Sequence, residues 1–409
     1  MTTCRERAGL PIDGTFLSSH RSTCTVTLHP MTLLAHDEPN PWMSVTPPIV
    51  QSSLFTFATV EDMEQRFAGH GSQPIYSRGD NPTVQLFEQK VAELEGGEAA
   101  RAFSSGMGAI SAAILSLVKS GDRMVCVRDV YPDAYRFMQK LLSRLNVTVE
   151  YVDGSDTDAV IARLEGAAVL YLESPTSWTM RTQDLHRLAT AARQRGVVTL
   201  CDNSWATPLY QQPLKAGIDL VVHSASKYLS GHSDTVAGIV VGSQARIDAI
   251  NDLTYPYLGA KLSPWEAWLL LRGMRTLPQR LSAQRRSVGV LSRRLREHPA
   301  VASVLHPTLG SDSRTPAEEG GSPFTIALQP HIDPRKFCNA LRLFKLGVSW
   351  GGYESLVIPS IVSLAQAASV ANALIDFDVP TNLVRLHVGL EHAEDLWQDL
   401  AQAFEQARL

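Results

Sequence analysis

The sequence predicts an α/β protein built on a mostly parallel sheet that helices cover on both faces. Short, mostly β-branched apolar runs recur along the first part of the chain, with helical segments between several of them. Strands that are apolar along their whole length are typical of sheets buried on both faces, and alternation with helices is typical of parallel order. Near residue 245 the alternation ends, and the remaining segments predict a smaller α+β unit.

Three parts of the chain follow from this pattern. Residues 1–45 are expected to form an N-terminal arm, partly disordered, because the first 30 residues lack periodicity and carry many small polar side chains. Residues 46–260 are expected to form the large domain, and residues 261–409 the small C-terminal domain. A chain of 409 residues is long enough for one large and one smaller domain.

Composition and charge argue against several classes of protein. Hydrophobic residues make up 44% and charged residues 19%, which is typical of a globular enzyme. The net charge of −4 gives no reason to expect a nucleic acid or an acidic membrane surface as partner, and no apolar run reaches the length of a membrane span. The five cysteines are scattered without CxxC pairs. This spacing argues against a zinc site and a disulfide framework, predicts a cytoplasmic location, and leaves Cys126 and Cys201 as core residues.

The individual elements can be read in order along the chain. Residues 84–97 have helical spacing of apolar side chains and stop at Gly-Gly, and residues 107–122 form an apolar helix. A long helical segment covers 264–298, with a break expected at Pro278. Six apolar runs predict strands, at 123–127, 147–152, 167–174, 197–203, 219–224 and 237–242.

Chemically active side chains follow several of these strands. Asp202 follows one apolar run, Lys227 follows another, and Glu173 ends a third. Because the carboxyl ends of parallel strands meet at one edge of a sheet, these side chains are expected to lie close together, where ligands of such sheets bind. A lysine at the point where a buried strand opens into a polar loop is suited to forming a covalent imine.

An anion site is predicted beside this edge. Ser104, Ser105, Gly106 and Met107 open a helix, whose first backbone N–H groups point outward and attract anions. The hydroxyl groups of Ser224 and Ser226 lie next to Lys227 in the chain, and they add two donors. A lysine, an acid and a phosphate site together indicate pyridoxal 5′-phosphate, whose ring nitrogen needs an anion such as Asp202 to stay protonated.

Several motifs in this order resemble those of the pyridoxal-phosphate enzymes of cysteine and methionine metabolism, the transsulfuration enzymes of fold type I. The resemblance runs from about residue 45 to the C-terminus. The motifs are YSRGDNPT (76–83), SSGMGAI (104–110), VYPDAY (130–135), YLESPT (171–176), CDNSWATP (201–208), HSASKYLSGHSD (223–234), LRGMRTL (271–277), SWGGYESL (349–356) and RLHVGLE (385–391). The resemblance implies the fold type I architecture, with a seven-stranded type of sheet in the large domain.

The resemblance also implies roles for individual residues. Lys227 would bind the cofactor covalently and move protons, Asp202 would pair with the ring nitrogen, and Tyr131 would stack on the ring and donate protons. The phosphate would be bound by Ser105, Gly106, Met107, Ser224 and Ser226, with Tyr76 and Arg78 reaching it from a neighbouring subunit. Arg385 would bind the α-carboxylate of an amino acid substrate, beside Ser349, Trp350, Ser177 and Tyr76.

The shared phosphate site implies a homo-oligomer. A dimer would be obligatory because each active site takes residues from two subunits, and the family is usually a tetramer of two such dimers. No metal is expected, since hydrogen bonding explains His223, His232 and Asp234 more simply than metal binding does.

Three local features favour β-elimination from cystathionine or cysteine conjugates, giving a thiol, pyruvate and ammonia. Trp350, His387 and Ser177 resemble the cystathionine β-lyase versions of their motifs. Ile75 and Val348 stand where cystathionine γ-lyases tend to carry glutamates, which argues against that enzyme. Asp133 stands where methionine γ-lyases carry a cysteine, and its role stays open.

Other reactions and classes remain as alternatives to β-elimination. They are γ-elimination or γ-replacement, as in methionine γ-lyase, cystathionine γ-lyase, cystathionine γ-synthase or O-acetylhomoserine-type enzymes, with a specialised amino acid also open. A nucleotide-binding oxidoreductase would need a GxGxxG turn after its first strand, and the sequence has none in that context. A non-catalytic protein of the same fold would predict the loss of Lys227 or Asp202, and both residues are present.

Overall fold

The computed structural model describes residues 28–37, 40–307, 320–366 and 371–408. It confirms the α/β class, with one large mixed sheet and a smaller C-terminal sheet. Residues 1–27 and 38–39 of the predicted N-terminal arm lie outside the described residues, as does most of the polar loop predicted at 310–323. The described part of the arm, residues 28–37 and 40–45, includes a short helix over Pro30–Ala35. The described end of that loop differs from the expectation, because residues 320–323 are buried rather than exposed.

The large sheet contains every one of the six predicted strands. Within the described residues it has seven strands, which are β1 Ala99–Phe103, β2 Arg123–Val127, β3 Thr148–Val152, β4 Val169–Glu173, β5 Val198–Asp202, β6 Leu220–His223 and β7 Gly238–Gly242. Their order is β1-β7-β6-β5-β4-β2-β3, and only β7 runs against its neighbours. The sheet is therefore mostly parallel, as predicted.

Helices precede, separate and follow these strands. The α-helices up to β7 are α1 Pro30–Ala35, α2 Val60–Phe67, α3 Pro82–Glu95, α4 Gly106–Leu117, α5 Pro132–Phe137, α6 Thr157–Ala162, α7 Leu185–Gln194 and α8 Thr207–Tyr210. A π-helical turn, Met138–Leu142, and two 3₁₀ turns, Ser143–Leu145 and Pro213–Ala216, lie among them. After β7 come α9 Gln244–Leu253, α10 Tyr255–Leu258, α11 Pro264–Met274 and α12 Leu277–Glu297. The break predicted at Pro278 is confirmed, since α12 begins with this proline in its first turn.

The smaller sheet belongs to the C-terminal part of the chain. Its strands are β8 Val301–Leu305, β9 Phe324–Leu328, β10 Lys345–Leu346, β11 Leu356–Pro359 and β12 Leu383–His387, in the order β10-β11-β12-β9-β8. The helical elements beside it are α13 Pro334–Ala340, the 3₁₀ turn Ser360–Ala365, α14 Ala373–Asp376 and α15 Ala393–Gln406.

Two cores meet along helix α12. Its residues Leu277 and Leu281 pack with α3, β1 and β7 on one face of the large sheet, whereas Leu291 and Leu295 pack with the small sheet and α15. The other face of the large sheet is covered by α4, α7 and α9, and it buries Cys126 and Cys201 as predicted. The domain boundary near residue 260 stays a prediction. No helix in the described ranges is long and apolar enough to cross a membrane.

Candidate active site

Two carboxylates end neighbouring strands of the large sheet. Glu173 of β4 pairs with Asp202 of β5 at the same level of the sheet, and both residues are 9% exposed. Lys227 follows β6, the next strand across, in the loop that connects it to β7. The parallel order thus brings the predicted acid and the predicted lysine to one edge, where their charges affect each other's pKa.

The first turn of α4 lies against the loop after β6. Ser105 is the N-cap of this helix, and its hydroxyl accepts a hydrogen bond from the Gly108 N–H over 2.9 Å. A Cβ atom added at Gly106 would lie 3.0 Å from the Ser224 Cβ. This close approach places the exposed N–H groups of the turn beside Ser224, as a phosphate site requires.

The other predicted phosphate ligands differ in the hydrogen bonds and packing contacts that they already make within the protein. The Ser224 N–H donates to the hydroxyl of Ser204 over 2.7 Å, which fixes the backbone of this loop. The Ser226 hydroxyl donates to the Ala237 carbonyl over 3.1 Å and accepts from the Ala237 N–H over 2.9 Å. Ser226 therefore binds the start of β7 in this structure. Met107 is partly buried against the core beneath the turn.

Lys227 has the surroundings of a base that works near neutral pH. Its amine donates to the Ser349 hydroxyl over 2.6 Å and lies 5.4 Å from the centre of the Trp350 ring. Burial, and then the positive charge of Arg385, lower its pKa from 10.5 to about 8, against the opposing effect of Asp202. A neutral amine is thus accessible at a moderately alkaline pH.

Asp202 is a buried carboxylate that a cation can stabilise. Burial raises its pKa, while hydrogen bonds from Ser204 and the charges of His223 and Lys227 oppose that rise. The Ser204 N–H donates to Asp202 Oδ1 over 2.9 Å. His223 itself lies 2.6 Å from Glu95 Oε1, in a buried hydrogen bond with its Nε2 atom.

Arg385 lies in the centre of β12, with only 8% of its surface exposed. Its Nη2 atom donates to the Val348 carbonyl over 3.1 Å. Burial lowers its pKa to about 10, and the nearby acids Glu173 and Asp129 oppose this effect. A buried guanidinium with donors to spare suits a substrate carboxylate.

The predicted stacking residue Tyr131 is held by two carboxylates. Its backbone N–H donates to Glu173 Oε2 over 2.7 Å, and its phenol donates to Asp133 Oδ2 over 2.9 Å. Asp133 also forms an ion pair with Arg136. Burial first, and then the charge and hydrogen bond of Asp133, raise the pKa of Tyr131, so the phenol stays protonated.

A loop of the C-terminal part covers Lys227. Trp350 packs against Tyr228, with ring centres 5.4 Å apart. The Gly351 N–H donates to His387 Nε2 over 3.1 Å, and His387 Nδ1 lies 2.7 Å from the Ser322 hydroxyl. Burial lowers the pKa of His387 to about 3, so this ring is neutral and fixes the loop through hydrogen bonds.

Tyr76, Arg78 and Ser177 are the remaining predicted residues of the site. Tyr76 is half exposed, and the guanidinium of Arg78 lies 6.0 Å from its ring centre. Their predicted contact with the phosphate of a neighbouring subunit stays a prediction. The Ser177 N–H donates to the Asp129 carbonyl over 2.8 Å, in the loop after β4.

Three residues of the site are not predicted from the sequence. Glu173 is predicted only to end a strand, whereas in the structure its carboxylate accepts the Tyr131 N–H. Trp178 lies against Arg385, and Asp129 fixes the loop that carries this tryptophan. The signal for Glu173 was its place beside Asp202, whereas nothing in the local pattern distinguishes Trp178 from an ordinary core residue.

The arrangement fits pyridoxal phosphate. It offers an amine of lowered pKa, a buried carboxylate for a protonated ring nitrogen, and a helix start packed closely on Ser224, where a Cβ added at Gly106 would lie 3.0 Å from the Ser224 Cβ. Within the described ranges, no group of three or more His, Cys, Asp or Glu side chains is placed to hold a metal ion.

Comparisons of the sequence agree with this fit. Residues 31–405 match the family model described as Cys/Met metabolism PLP-dependent enzyme. The chain is 38% identical to L-methionine gamma-lyase of Pseudomonas putida, over 88% of this chain and 93% of that protein. It is 36% identical to cystathionine gamma-lyase of Bacillus subtilis (strain 168), over 88% and 93%. Cystathionine beta-lyase of Lactococcus lactis subsp. cremoris (strain MG1363) is 33% identical, over 89% and 94%.

Solved structures show the same architecture. Cystathionine gamma synthase from Xanthomonas oryzae pv. oryzae superposes with a TM-score of 0.84 at 31% identity, over 93% of this chain and 98% of that one. A putative O-acetylhomoserine (thiol)-lyase from Campylobacter jejuni also gives 0.84, at 26% identity over 92% and 100%, and carries N′-pyridoxyl-lysine-5′-monophosphate. The fold type I architecture is thereby confirmed.

Proposed function

Since the chain belongs to the Cys/Met metabolism PLP-dependent enzymes and is a carbon–sulfur lyase that uses pyridoxal 5′-phosphate, we propose that it cleaves a sulfur amino acid by γ-elimination. The relatives of higher identity described above are γ-lyases, and the cystathionine β-lyase is less similar. The predicted β-elimination is therefore less well supported than its γ alternative.

The observation that carries the proposal is the environment of the Lys227 amine, which donates to the Ser349 hydroxyl over 2.6 Å and lies near enough to Arg385 and Asp202 for both charges to affect its pKa. The two neighbours act on the Lys227 pKa in opposite directions, and burial makes the amine a base at moderate pH. When bound, the cofactor supplies a protonated ring that withdraws electrons from the Cα of an amino acid. The chain itself has to hold the substrate and move the protons.

Arg385 would orient the substrate. Its buried guanidinium is suited to a fork-shaped pair with the α-carboxylate, which a flexible lysine would bind less rigidly. Since β12 and the Val348 carbonyl hold this guanidinium, the Cα–H of the substrate would be presented to Lys227.

Lys227 would carry the protons. As a neutral amine it would take the Cα proton and return it to the bound substrate and cofactor. It could then take the second proton, from Cβ, which γ-elimination requires before the Cγ–S bond breaks with its electron pair on sulfur. The departing thiolate then takes a proton from Lys227 or Tyr131. Ser349 would aim the amine through its hydrogen bond.

β-Elimination is the second candidate, and the loop above Lys227 favours it. The centre of the Trp350 ring lies 5.4 Å from the Lys227 amine, and His387 accepts the Gly351 N–H beside it. Both residues belong to motif versions that resemble cystathionine β-lyases. Val348, which is 80% exposed, offers no charge to a distal ammonium group.

Product identification decides between the two reactions. The purified, cofactor-loaded protein is incubated with L-methionine and, separately, with L-cystathionine, and the keto acid is identified by mass spectrometry. We expect 2-oxobutyrate from both substrates, with methanethiol from L-methionine and cysteine from L-cystathionine. Pyruvate with homocysteine would establish β-elimination instead, and neither keto acid from a loaded protein would indicate γ-replacement or a specialised substrate. A Lys227→Ala protein is the control.

We further propose a cytoplasmic homo-oligomer whose active sites are shared between two subunits. The exposed Tyr76 and Arg78 support this arrangement, since their predicted ligand belongs to a neighbouring subunit. Mixing inactive Lys227→Ala and Arg78→Ala proteins after mild dissociation should restore part of the activity, because hybrid dimers would contain one intact site. No recovery in verified hybrids would contradict shared sites.

A further inference from the structure

We propose that Trp178 is a positioning residue that holds the Arg385 guanidinium in the orientation that binds the substrate carboxylate. The inference rests on the proposed function to the extent that Arg385 is the carboxylate ligand. Trp178 lies in the loop after β4 of the large sheet, whereas Arg385 belongs to β12 of the small sheet.

The two side chains lie close together, and both are shielded from water. The Arg385 Cζ atom lies 5.2 Å from the centre of the Trp178 ring. Trp178 is 3% exposed and Arg385 8%. An arginine over an indole face within about 6 Å is attracted by the ring, and the attraction is strongest where water is excluded.

Arg385 needs such a contact because its other anchors are few. Among the contacts of the described residues, it donates one hydrogen bond, to the Val348 carbonyl. A guanidinium has five N–H donors in a plane, so a single hydrogen bond does not by itself fix the orientation of that plane. A flat ring on one face limits its rotation and leaves the edge of the guanidinium open to a carboxylate.

Trp178 is itself held firmly in place. The Asp129 carboxylate accepts the backbone N–H groups of Trp178 over 3.2 Å and of Thr179 over 2.6 Å. It also accepts the Thr179 hydroxyl over 2.6 Å. One buried carboxylate thus fixes the turn after β4 that carries the indole ring.

The indole ring packs against the C-terminal part of the chain. Its core neighbours include Leu374 and Leu383, and Leu383 is the first residue of β12, two positions before Arg385. Trp178 therefore ties the loop after β4 to the strand that carries the guanidinium. The position of Arg385 relative to Lys227 depends on this contact.

The test measures binding of two probes to the cofactor-loaded protein by calorimetry. The first probe is 4-(methylsulfanyl)butanoate, which is methionine without its amino group, and the second is the matching neutral amide. The difference between the affinities for the acid and the amide isolates the contribution of the carboxylate. Variants are Trp178→Leu, which keeps an apolar but smaller side chain without a π face, and Trp178→Phe, which keeps a smaller π face.

A matched control exists elsewhere in the chain. Arg294 lies over the Trp397 ring at 5.3 Å, so Trp397→Leu removes the same kind of contact away from the site. We expect Trp178→Leu to weaken binding of the acid about tenfold and to leave binding of the amide unchanged. Trp178→Phe should recover most of the loss, and Trp397→Leu should have no effect on either probe. With a cleaved substrate, Trp178→Leu should raise KM more than it lowers kcat.

Two results would overturn the inference. One is unchanged acid binding in both Trp178 variants, and the other is an equal loss for acid and amide, which would mean that Trp178 only supports packing. If Trp178→Leu does not fold, Trp178→Phe alone must still weaken the acid selectively by about threefold. An Arg385→Gln protein that binds the acid normally would instead contradict the carboxylate role of Arg385 in the proposed function.

Discussion

The Lys227 amine donates a hydrogen bond to the Ser349 hydroxyl over 2.6 Å, although the two residues are 122 positions apart in the chain. Lys227 follows the sixth strand of the large sheet, and Ser349 precedes β11 of the small one. The proposed catalytic amine is therefore hydrogen-bonded to a residue of the C-terminal part of the chain. Changes in either part of the chain should alter the chemistry at this amine.

Replacement of Lys227 by alanine should abolish covalent attachment of the cofactor and reduce turnover by roughly 10²–10⁴-fold, because the proposed base is lost. Borohydride reduction followed by intact mass measurement checks the attachment, and keto acid release checks the turnover. The exposed Lys140→Ala is the control and should behave like the parent protein. Full turnover in Lys227→Ala would refute the proposed role.

The rate at saturating substrate should follow the ionisation of Lys227. Burial and Arg385 lower its pKa to about 8, and only the neutral amine can take a proton, so kcat should rise about tenfold per pH unit below that value and level off above it. A profile from pH 6 to 9.5, with cofactor content checked at each point, measures this. A rise that continues to pH 9.5 would show an unshifted lysine.

Asp133→Asn should lower the pKa of the Tyr131 phenol. Burial is the larger cause of the raised pKa, but the Asp133 carboxylate adds to it by opposing a second negative charge 2.9 Å away. Tyrosinate absorbance at 295 nm, read within milliseconds of a pH jump, checks this when the Tyr131→Phe signal is subtracted.

A second tyrosine–aspartate pair provides the control for that experiment. The Tyr135 phenol donates to Asp376 Oδ2 over 2.7 Å, so Asp376→Asn should affect Tyr135 and leave the Tyr131 signal unchanged. An unaltered Tyr131 ionisation in Asp133→Asn would mean that burial alone sets its pKa.

Gly238→Ala should weaken cofactor binding at least tenfold. A Cβ atom at this position would lie 2.2 Å from the Ser105 carbonyl oxygen and 2.8 Å from the Gly106 Cα, so the first turn of α4 would have to move. Titration of the cofactor-free protein with pyridoxal phosphate, monitored by absorbance, measures the affinity for the cofactor. Binding as tight as that of the parent protein would show that this turn does not hold the phosphate.

Gly289→Ala is expected to stabilise the fold. Gly289 lies exposed within α12, with nothing within 4 Å of an added Cβ. Alanine should raise the free energy of unfolding by about 0.5–1 kcal/mol, because it restricts the unfolded chain and favours the helix. Urea unfolding of both proteins checks this, and cofactor affinity should be unchanged. A lower midpoint would contradict the expectation.

The sequence was sufficient to predict most of the large sheet and the residues at its edge. Apolar runs predict six strands, and the residues at or after their ends include Asp202, Ser224 and Lys227. It missed β1, because Ala99–Phe103 contains no β-branched residue and lacks the composition of a strand. Its antiparallel partner β7 supplies the hydrogen bonds that make this segment extended.

Contacts between distant segments could not be predicted in this way. Trp178 lies in the loop after β4 of the large sheet and Arg385 in β12 of the small one, and no periodicity links these two segments. The burial of Ser322 is a similar case. Its hydroxyl binds His387 and Tyr228, although the surrounding sequence is polar and was expected to be a surface loop.

Helix α12 contributes side chains to both hydrophobic cores along its 21 residues. Neither part of the chain therefore has a complete core without it, and a fragment cut near residue 260 would lose the helices that cover α3 and β1. Unfolding of one core should therefore destabilise the other. The protein should melt in a single cooperative transition, with the active site and the small sheet lost together.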